Sequence, residues 1–385
     1  MAVVLTNGRV LRGSQLVDGQ CVLIEGGRIL GIVPESAARC RVPSPCDLGG
    51  HMLLPGFIDT QINGGGGALF SDDPTVESIR RMGSSHRRFG TTGFLPTLIS
   101  TDLEVIAQAI GAVRDAIAAG VPGVLGIHIE GPCLNVKRAG IHDPARLRSL
   151  DASTVGLLRS LPVGHTLVTL APEMTSPQVI RALADAGVIV SAGHTDATYA
   201  QIRTALDQGL RGFTHLFNAM SPLTSREPGV VGAALEDRAS WCGIIADGRH
   251  VAPAVLRLAM RCKPLNRFML VTDAMPSVGT DIRSFKLQGR EITVAGPVCL
   301  DENGRLAGSN IDMANGVRNA VGLLGLPLPE AVRMASLYPA EFLGVAQELG
   351  RIEPGYRANL VLADSDLNVI ETWIDGIPEG RYGRP

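Results

Sequence analysis

The chain has 385 residues, with 37 acidic against 35 basic side chains and a formal charge of −2. That length suffices for one large domain plus a smaller one with a substantial core. The near-neutral balance supplies no field to draw in nucleic acid or an acidic membrane, so an anionic ligand must be met by a local site, and no nucleic-acid or membrane partner is expected.

The opening MAVVLTNGRVLRG lacks a basic segment followed by a long apolar core. No later run reaches the roughly 18 continuous apolar residues of a membrane span, and the expectation is a cytoplasmic protein. From Val3 to about Met52 the texture is short and β-like: VVLTNGRVL, then CVLIEGGRILGIV, with Asn-Gly and Gly-Gly as turn signals. The last thirty-odd residues repeat it in RANLVLAD and NVIETWIDG. The two β-rich ends predict one small β unit, 1–52 with 350–385, flanking a domain at 53–349.

The middle alternates short apolar runs with helical segments such as LEVIAQAIGAVRDAIAAG and SPQVIRALADAG. The runs are LPGFIDTQI, TTGFLPTLI, VLGIHIE, TLVTLAPE, VIVSAGH, GFTHLFNA, WCGIIADG and FMLVTDA. Near-continuous apolar strands, each followed by a helix, predict an α/β fold with a parallel sheet closed as a (β/α)8 TIM-like barrel. The polar residues stand at the C-terminal ends of the runs: Asp59, Gln61, Glu130, Glu173, His194, His215, Asn218, Asp247 and Asp273. In a barrel that is the catalytic end. The glycine run at 64–67 reads as a loop, or as backbone making way for a ligand or metal. Seven cysteines, an odd number without CxxC spacing, fit reduced thiols better than a disulfide framework.

A carboxylate at the mouth of a buried strand costs free energy unless a cation meets it. Glu130, His194 and His215 supply three N/O donors from three strand ends and leave a position open, as catalytic zinc sites do. Each histidine alone would read better as a satisfied core residue; it is the three donors together at strand mouths that favour a metal site. The donor set admits Zn(II), Fe(II), Co(II) or Mn(II), with zinc first. Gln61 is a weaker candidate, a poor ligand that would contact the site through water.

The strings LPGFIDTQINGGGG, HIEGPCLN, GIHDP, SAGHTDAT, THLFNAMSPLTSREPG, IIADGRH, LVTDA and LAGSNIDM follow one another through almost the whole chain. In that order and spacing they resemble the N-acetylglucosamine-6-phosphate deacetylases of the amidohydrolase superfamily. The resemblance implies a distorted barrel, a small β-sandwich from both termini, a homodimer, and hydrolysis of N-acetylglucosamine 6-phosphate to glucosamine 6-phosphate and acetate. Many amidohydrolases carry His-x-His on the first strand; here the position reads Asp59-Thr60-Gln61, which implies the branch with one tightly held divalent ion. Cys133 stands where the family often has an aromatic residue, as a small filler or a reactive thiol.

By the same resemblance Asp273 of VTDA is the catalytic aspartate, base toward the attacking water and then acid toward the amino group; the plain alternative is a helix N-cap. Ile141 and His142 of GIHDP contact substrate, His142 by polarising the acetyl carbonyl. Arg226 of SREPG grips the phosphate from the neighbouring subunit, with a planar fork suited to it. His250, Asn218 and Ala219 add contacts, Asp247 orients His250, and a Leu306-Ala307-Gly308 turn closes over the acetyl group. Competing readings are a deacetylase for the galacto epimer, a barrel deaminase, and a non-catalytic scaffold.

Overall fold

The computed structural model describes residues 3–38 and 45–380. Residues 1–2, 39–44 and 381–385, which the sequence assigns to the terminal β unit, lie outside the described residues.

The eight apolar runs form eight strands: Phe57–Ile62, Thr91–Ile99, Gly126–Glu130, His165–Leu170, Ile189–Ala192, Leu210–Phe213, Trp241–Ile244 and Phe268–Leu270. They lie side by side in chain order in one sheet, and each pair that pairs is parallel. The first and last strands meet where Ile62 bridges Ala274 in parallel. There the Asp273 N–H donates to the Gln61 carbonyl at 3.0 Å, and the Thr272 hydroxyl donates to buried Asp59 at 2.5 Å. Asp59 thus closes the barrel.

Each strand is followed in the chain by a helix, from Val76–Arg87 after the first to Met313–Gly322 after the eighth. Five of these begin at a side-chain cap: Thr75, Asp151, Ser176, Thr198 and Asp312 each accept the N–H three residues on. Such caps contribute about 1 kcal/mol each. Because they end the strand-to-helix loops, they also fix those loops at the C-terminal face of the sheet. Phe94, Leu98, Ile127, Val168, Phe213 and Phe268 are buried in the core shared by strands and helices.

A second sheet joins Val3–Arg12, Gln15–Glu25, Arg28–Pro34, Cys46–Asp47 and Met52–Pro55 to Leu360–Ala363, Val369–Ile374 and Ile377–Pro378. Met52–Pro55 runs antiparallel to Leu360–Ala363, with Leu54 opposite Val361. The sheet has its own core, which includes Leu5, Val22, Ile24, Leu53, Leu360 and Trp373. The fold is therefore a (β/α)8 barrel with a small β domain contributed by both ends of the chain. Gly26-Gly27 makes a hairpin turn, with Glu25 opposite Arg28. Asn7-Gly8 does not: it lies inside the first strand as a register irregularity. Asn7 has φ +53 there, its amide donates to Asp47 at 2.7 Å, and a Cβ at Gly8 would come within 2.6 Å of Leu48. Bulge and turn ask for the same residues, and the packing of Leu48 decides between them.

Two features depart from the expected plan. An antiparallel sheet of four short strands, Ser284–Leu287, Arg290–Ala295, Val298–Asp301 and Leu306–Ser309, stands between the eighth barrel strand and its helix. Leu306, Ala307 and Gly308 belong to its last strand and do not form a turn, because Leu306 and Ser309 pair with Leu300 and Val298. The glycine run is likewise not a loop open to a ligand: Gly64–Gly65 pairs with Ala68–Leu69. A Cβ at Gly64 would lie 2.7 Å from the Pro276 nitrogen, and one at Gly65 2.7 Å from His86 Nε2. These glycines let the hairpin press against the protein itself. Among the described residues no cysteine forms a disulfide, and no helix is long and apolar enough to cross a membrane.

Candidate active site

Glu130, His194 and His215, at the ends of the third, fifth and sixth strands, are buried, and their donor atoms all lie within 4.8 Å of one another. Glu130 Oε1 is 3.0 Å from His215 Nε2 and 3.3 Å from His194 Nε2; the two Nε2 atoms are 3.1 Å apart. The Arg138 carbonyl can only accept, so His194 Nδ1, 2.8 Å from it, carries the ring proton and Nε2 keeps its lone pair. Electron-rich atoms so close repel unless a cation lies among them. Their spacing is close to the edge of a tetrahedron, about 3.3 Å, around an ion with bonds of about 2.0 Å. The three donors therefore fit one divalent metal ion. Burial raises the Glu130 carboxyl, but the nearness of His194 and His215 outweighs it and holds it well below the ordinary range.

Asp273 stands beside the triad at the end of the eighth strand. Its Oδ1 accepts from Asn63 Nδ2 at 2.7 Å and from Gln61 Nε2 at 3.0 Å. Gln61 Nε2 is also 3.4 Å from Glu130 Oε1, so it faces both carboxylates as a donor. Burial first, and then the Glu130 charge, push the Asp273 carboxyl up, while the neighbouring histidines and Asn63 pull it down. His194, His215 and Asp273 all have left-handed backbone, φ +49, +34 and +52, as do Phe217 and Ala219. Such conformations cost of order 1–3 kcal/mol each in non-glycine residues, and persist where surrounding structure enforces them.

His142 is buried in the loop after the third strand, with Nε2 3.9 Å from Glu130 Oε2. Its Nδ1 accepts the Ser100 N–H at 3.2 Å, which leaves the ring proton on Nε2. Burial, and then the neighbouring imidazole of His194, lower its pKa to about 3, so the ring is a neutral donor. Glu173 braces the opposite flank, accepting from Asn135 at 2.8 Å, from the Thr195 hydroxyl at 2.5 Å and from the Asp196 N–H at 2.7 Å.

A cavity of about 540 Å³ opens over the triad, within the size range of small-molecule sites. Asn63, Ile141, His142, Asn218, Ala219, His250, Asp273, Leu306, Ala307 and Gly308 line it. Asp247 lies behind His250, accepting its Nδ1–H at 2.6 Å and two backbone N–H groups at 2.8 Å. The structure does not bring Arg226 to this cavity. It is exposed on the loop 221–228, which is braced by Glu227 accepting the N–H groups of Tyr199 and Gly229. Cys133 is buried, its thiol pushed up to about 12 chiefly by burial, which suits the filler and not the reactive thiol.

Residues 52–377 match the amidohydrolase family. The chain belongs to that family. It is 42% identical over 375 residues to an N-acetylgalactosamine-6-phosphate deacetylase of Shewanella sp. (strain ANA-3), a match covering 97% of this chain and 95% of the other. An N-acetylglucosamine-6-phosphate deacetylase of Haemophilus influenzae is 36% identical, over 92% of this chain and 93% of that one. The crystal structure of N-acetylglucosamine-6-phosphate deacetylase from Pasteurella multocida is similar with a TM-score of 0.93 at 36% identity, covering 98% and 99% of the two chains.

Sequence reasoning missed several residues at the cavity. Asn63 lay in plain view within INGGGG, directly after the first strand. Arg290, Arg305, Met275 and Leu287 also line it; three of them stand on or beside the unforeseen four-stranded sheet, and no local pattern marks them.

Proposed function

We propose that this amidohydrolase cleaves the amide of N-acetylglucosamine 6-phosphate, releasing acetate and glucosamine 6-phosphate. The observation that carries the reading is the convergence of Asp273 and His142 on the Glu130–His194–His215 triad, at the bottom of one cavity. The three triad donors would hold a single divalent ion, most suitably Zn(II), with Fe(II), Co(II) and Mn(II) as alternatives. Bound there, such an ion supplies Lewis acidity and lowers the pKa of water to about 7.

The chain's own groups then divide the work. Asp273 Oδ1, held by Asn63 and Gln61, accepts the proton of the attacking water and afterwards gives one to the departing amine. His142 Nε2–H donates to the acetyl oxygen as negative charge grows there; its Nδ1 bond to Ser100 fixes that polarity. At the far end of the sugar Asn218, Ala219 and His250 meet the phosphate, with Asp247 orienting the His250 ring through its Nδ1–H. Arg226 is exposed and does not line this chain's own cavity; in a homodimer it would reach the neighbouring site. Ile141 and the strand Leu306–Ser309 border the acetyl group. The working division of the chain is a catalytic barrel at 53–349 with a β unit at 1–52 and 350–385, and the setting is the cytoplasm.

A second reading is favoured by one finding: the Shewanella relative at 42% identity is named for the galacto epimer. Metal analysis of purified protein, joined to acetate release from both epimers, tests the two together. Acetate from the gluco substrate at the higher kcat/KM supports the proposal, and the reverse order transfers it to the galacto substrate. Absence of metal and of acetate from both would refute it.

A further inference from the structure

The hairpin turn between Ser284–Leu287 and Arg290–Ala295 has two residues, with Leu287 paired to Arg290. Gln288 has φ +49 and Gly289 φ +82. Turns of this form favour Asn, Asp or Gly at the first position, and a long unbranched side chain there is uncommon. The unfavourable choice coincides with what the Gln288 amide does. Its Nε2 donates to the Ser100 carbonyl at 2.7 Å, and its Oε1 accepts the Asp143 N–H at 2.7 Å. Ser100 in turn gives its own N–H to His142 Nδ1 at 3.2 Å, and its hydroxyl lies 2.9 Å from the same nitrogen. Gln288, Ser100, His142 and Asp143 close a ring in which Ser100 holds the imidazole at Nδ1 and Gln288 ties Ser100 to the backbone directly after His142.

We infer that Gln288 is a positioning residue, which clamps the His142 loop to the end of the second barrel strand and so aims His142 Nε2–H at the acetyl oxygen. The inference rests on the deacetylase reading, in which His142 contacts substrate; Gln288 itself does not touch the reacting atoms. An asparagine amide is too short to span Ser100 and Asp143, yet asparagine suits the left-handed turn better than glutamine does. Gln288→Asn therefore separates the clamp from the hairpin. Displacement of a group aimed at a reacting centre by about 1 Å can cost as much as 10²-fold in rate.

The test measures kcat, KM and melting temperature for wild type, Gln288→Asn, His142→Asn and the double variant, with amide hydrogen exchange at Asp143. The expected result is a kcat loss of about tenfold or more in Gln288→Asn, with KM within about twofold, an undiminished melting temperature and faster exchange at Asp143. In the His142→Asn background the second substitution should cost nothing further. Losses that multiply in the double variant, or an unchanged kcat in Gln288→Asn, overturn the inference. If wild type releases no acetate, it is the deacetylase reading that falls. Exchange at Asp143 still decides the clamp then, because unchanged protection in Gln288→Asn rejects it.

Discussion

Asn63 Nδ2 donates to Asp273 Oδ1 at 2.7 Å, and the backbone N–H of Asn63 donates to the carbonyl of Ala274, the next residue, at 2.9 Å. One residue of the first strand's exit thus fixes both the backbone and the charge of the eighth strand's end. A donor on the ionised carboxylate favours the charged form. Removing it in Asn63→Ala takes away a lowering influence, so the Asp273 pKa rises and the base is protonated at higher pH. The acid limb of the kcat/KM profile should therefore move to higher pH. A limb that stays in place or moves down would show that Asp273 is not the group titrating there.

Asp273→Asn keeps the side chain's shape and removes its basicity. Metal content and substrate binding should persist, while kcat falls by about 10²–10⁴-fold, the range for loss of a general acid–base. Near-wild-type turnover in this variant, with one equivalent of metal retained, would remove Asp273 from both proton transfers.

Arg226 is exposed on its own subunit, so its removal should leave the fold untouched. Arg226→Ala should lower kcat/KM for the phosphorylated substrate by about 10–100-fold, the equivalent of losing a charge-assisted hydrogen bond. Activity on unphosphorylated N-acetylglucosamine should hardly change. Equal losses on both substrates would exclude Arg226 from phosphate recognition.

His86, on the helix after the first strand, is fully buried; its Nε2–H donates to the Gly64 carbonyl at 2.9 Å and its Nδ1 has no partner. Burial lowers its pKa from 6.5 to about 4. The folded protein therefore holds a neutral ring where the unfolded chain takes a proton. The resulting stability is present above about pH 6.5 and fades as pH falls to about 4, by about 3 kcal/mol. In urea unfolding, the stability difference between wild type and His86→Gln should shrink across that window. A difference independent of pH between 7 and 4 would contradict the assignment.

The barrel was legible because its strands are buried almost throughout and read as largely apolar runs, with most of their ionisable residues gathered at the mouths. The triad was legible for the same reason: Glu130, His194 and His215 interrupt those runs at their ends. The Ser284–Ser309 strands escaped because they are short and partly exposed, and their texture is that of loops. Arg290 and Arg305 went unseen with them, since only tertiary structure carries that sheet to the cavity. Asn7-Gly8 shows the converse limit, a strong local turn signal overruled by the packing of Leu48.

The pairing of Met52–Pro55 with Leu360–Ala363 bears on biogenesis. One edge of this early strand pairs with Val3–Arg12, but the other has no partner until the chain has been made through Leu360–Ala363, so that edge stays unmatched during elongation. A nascent chain arrested before Leu360 should consequently be a client for chaperones, however complete its barrel.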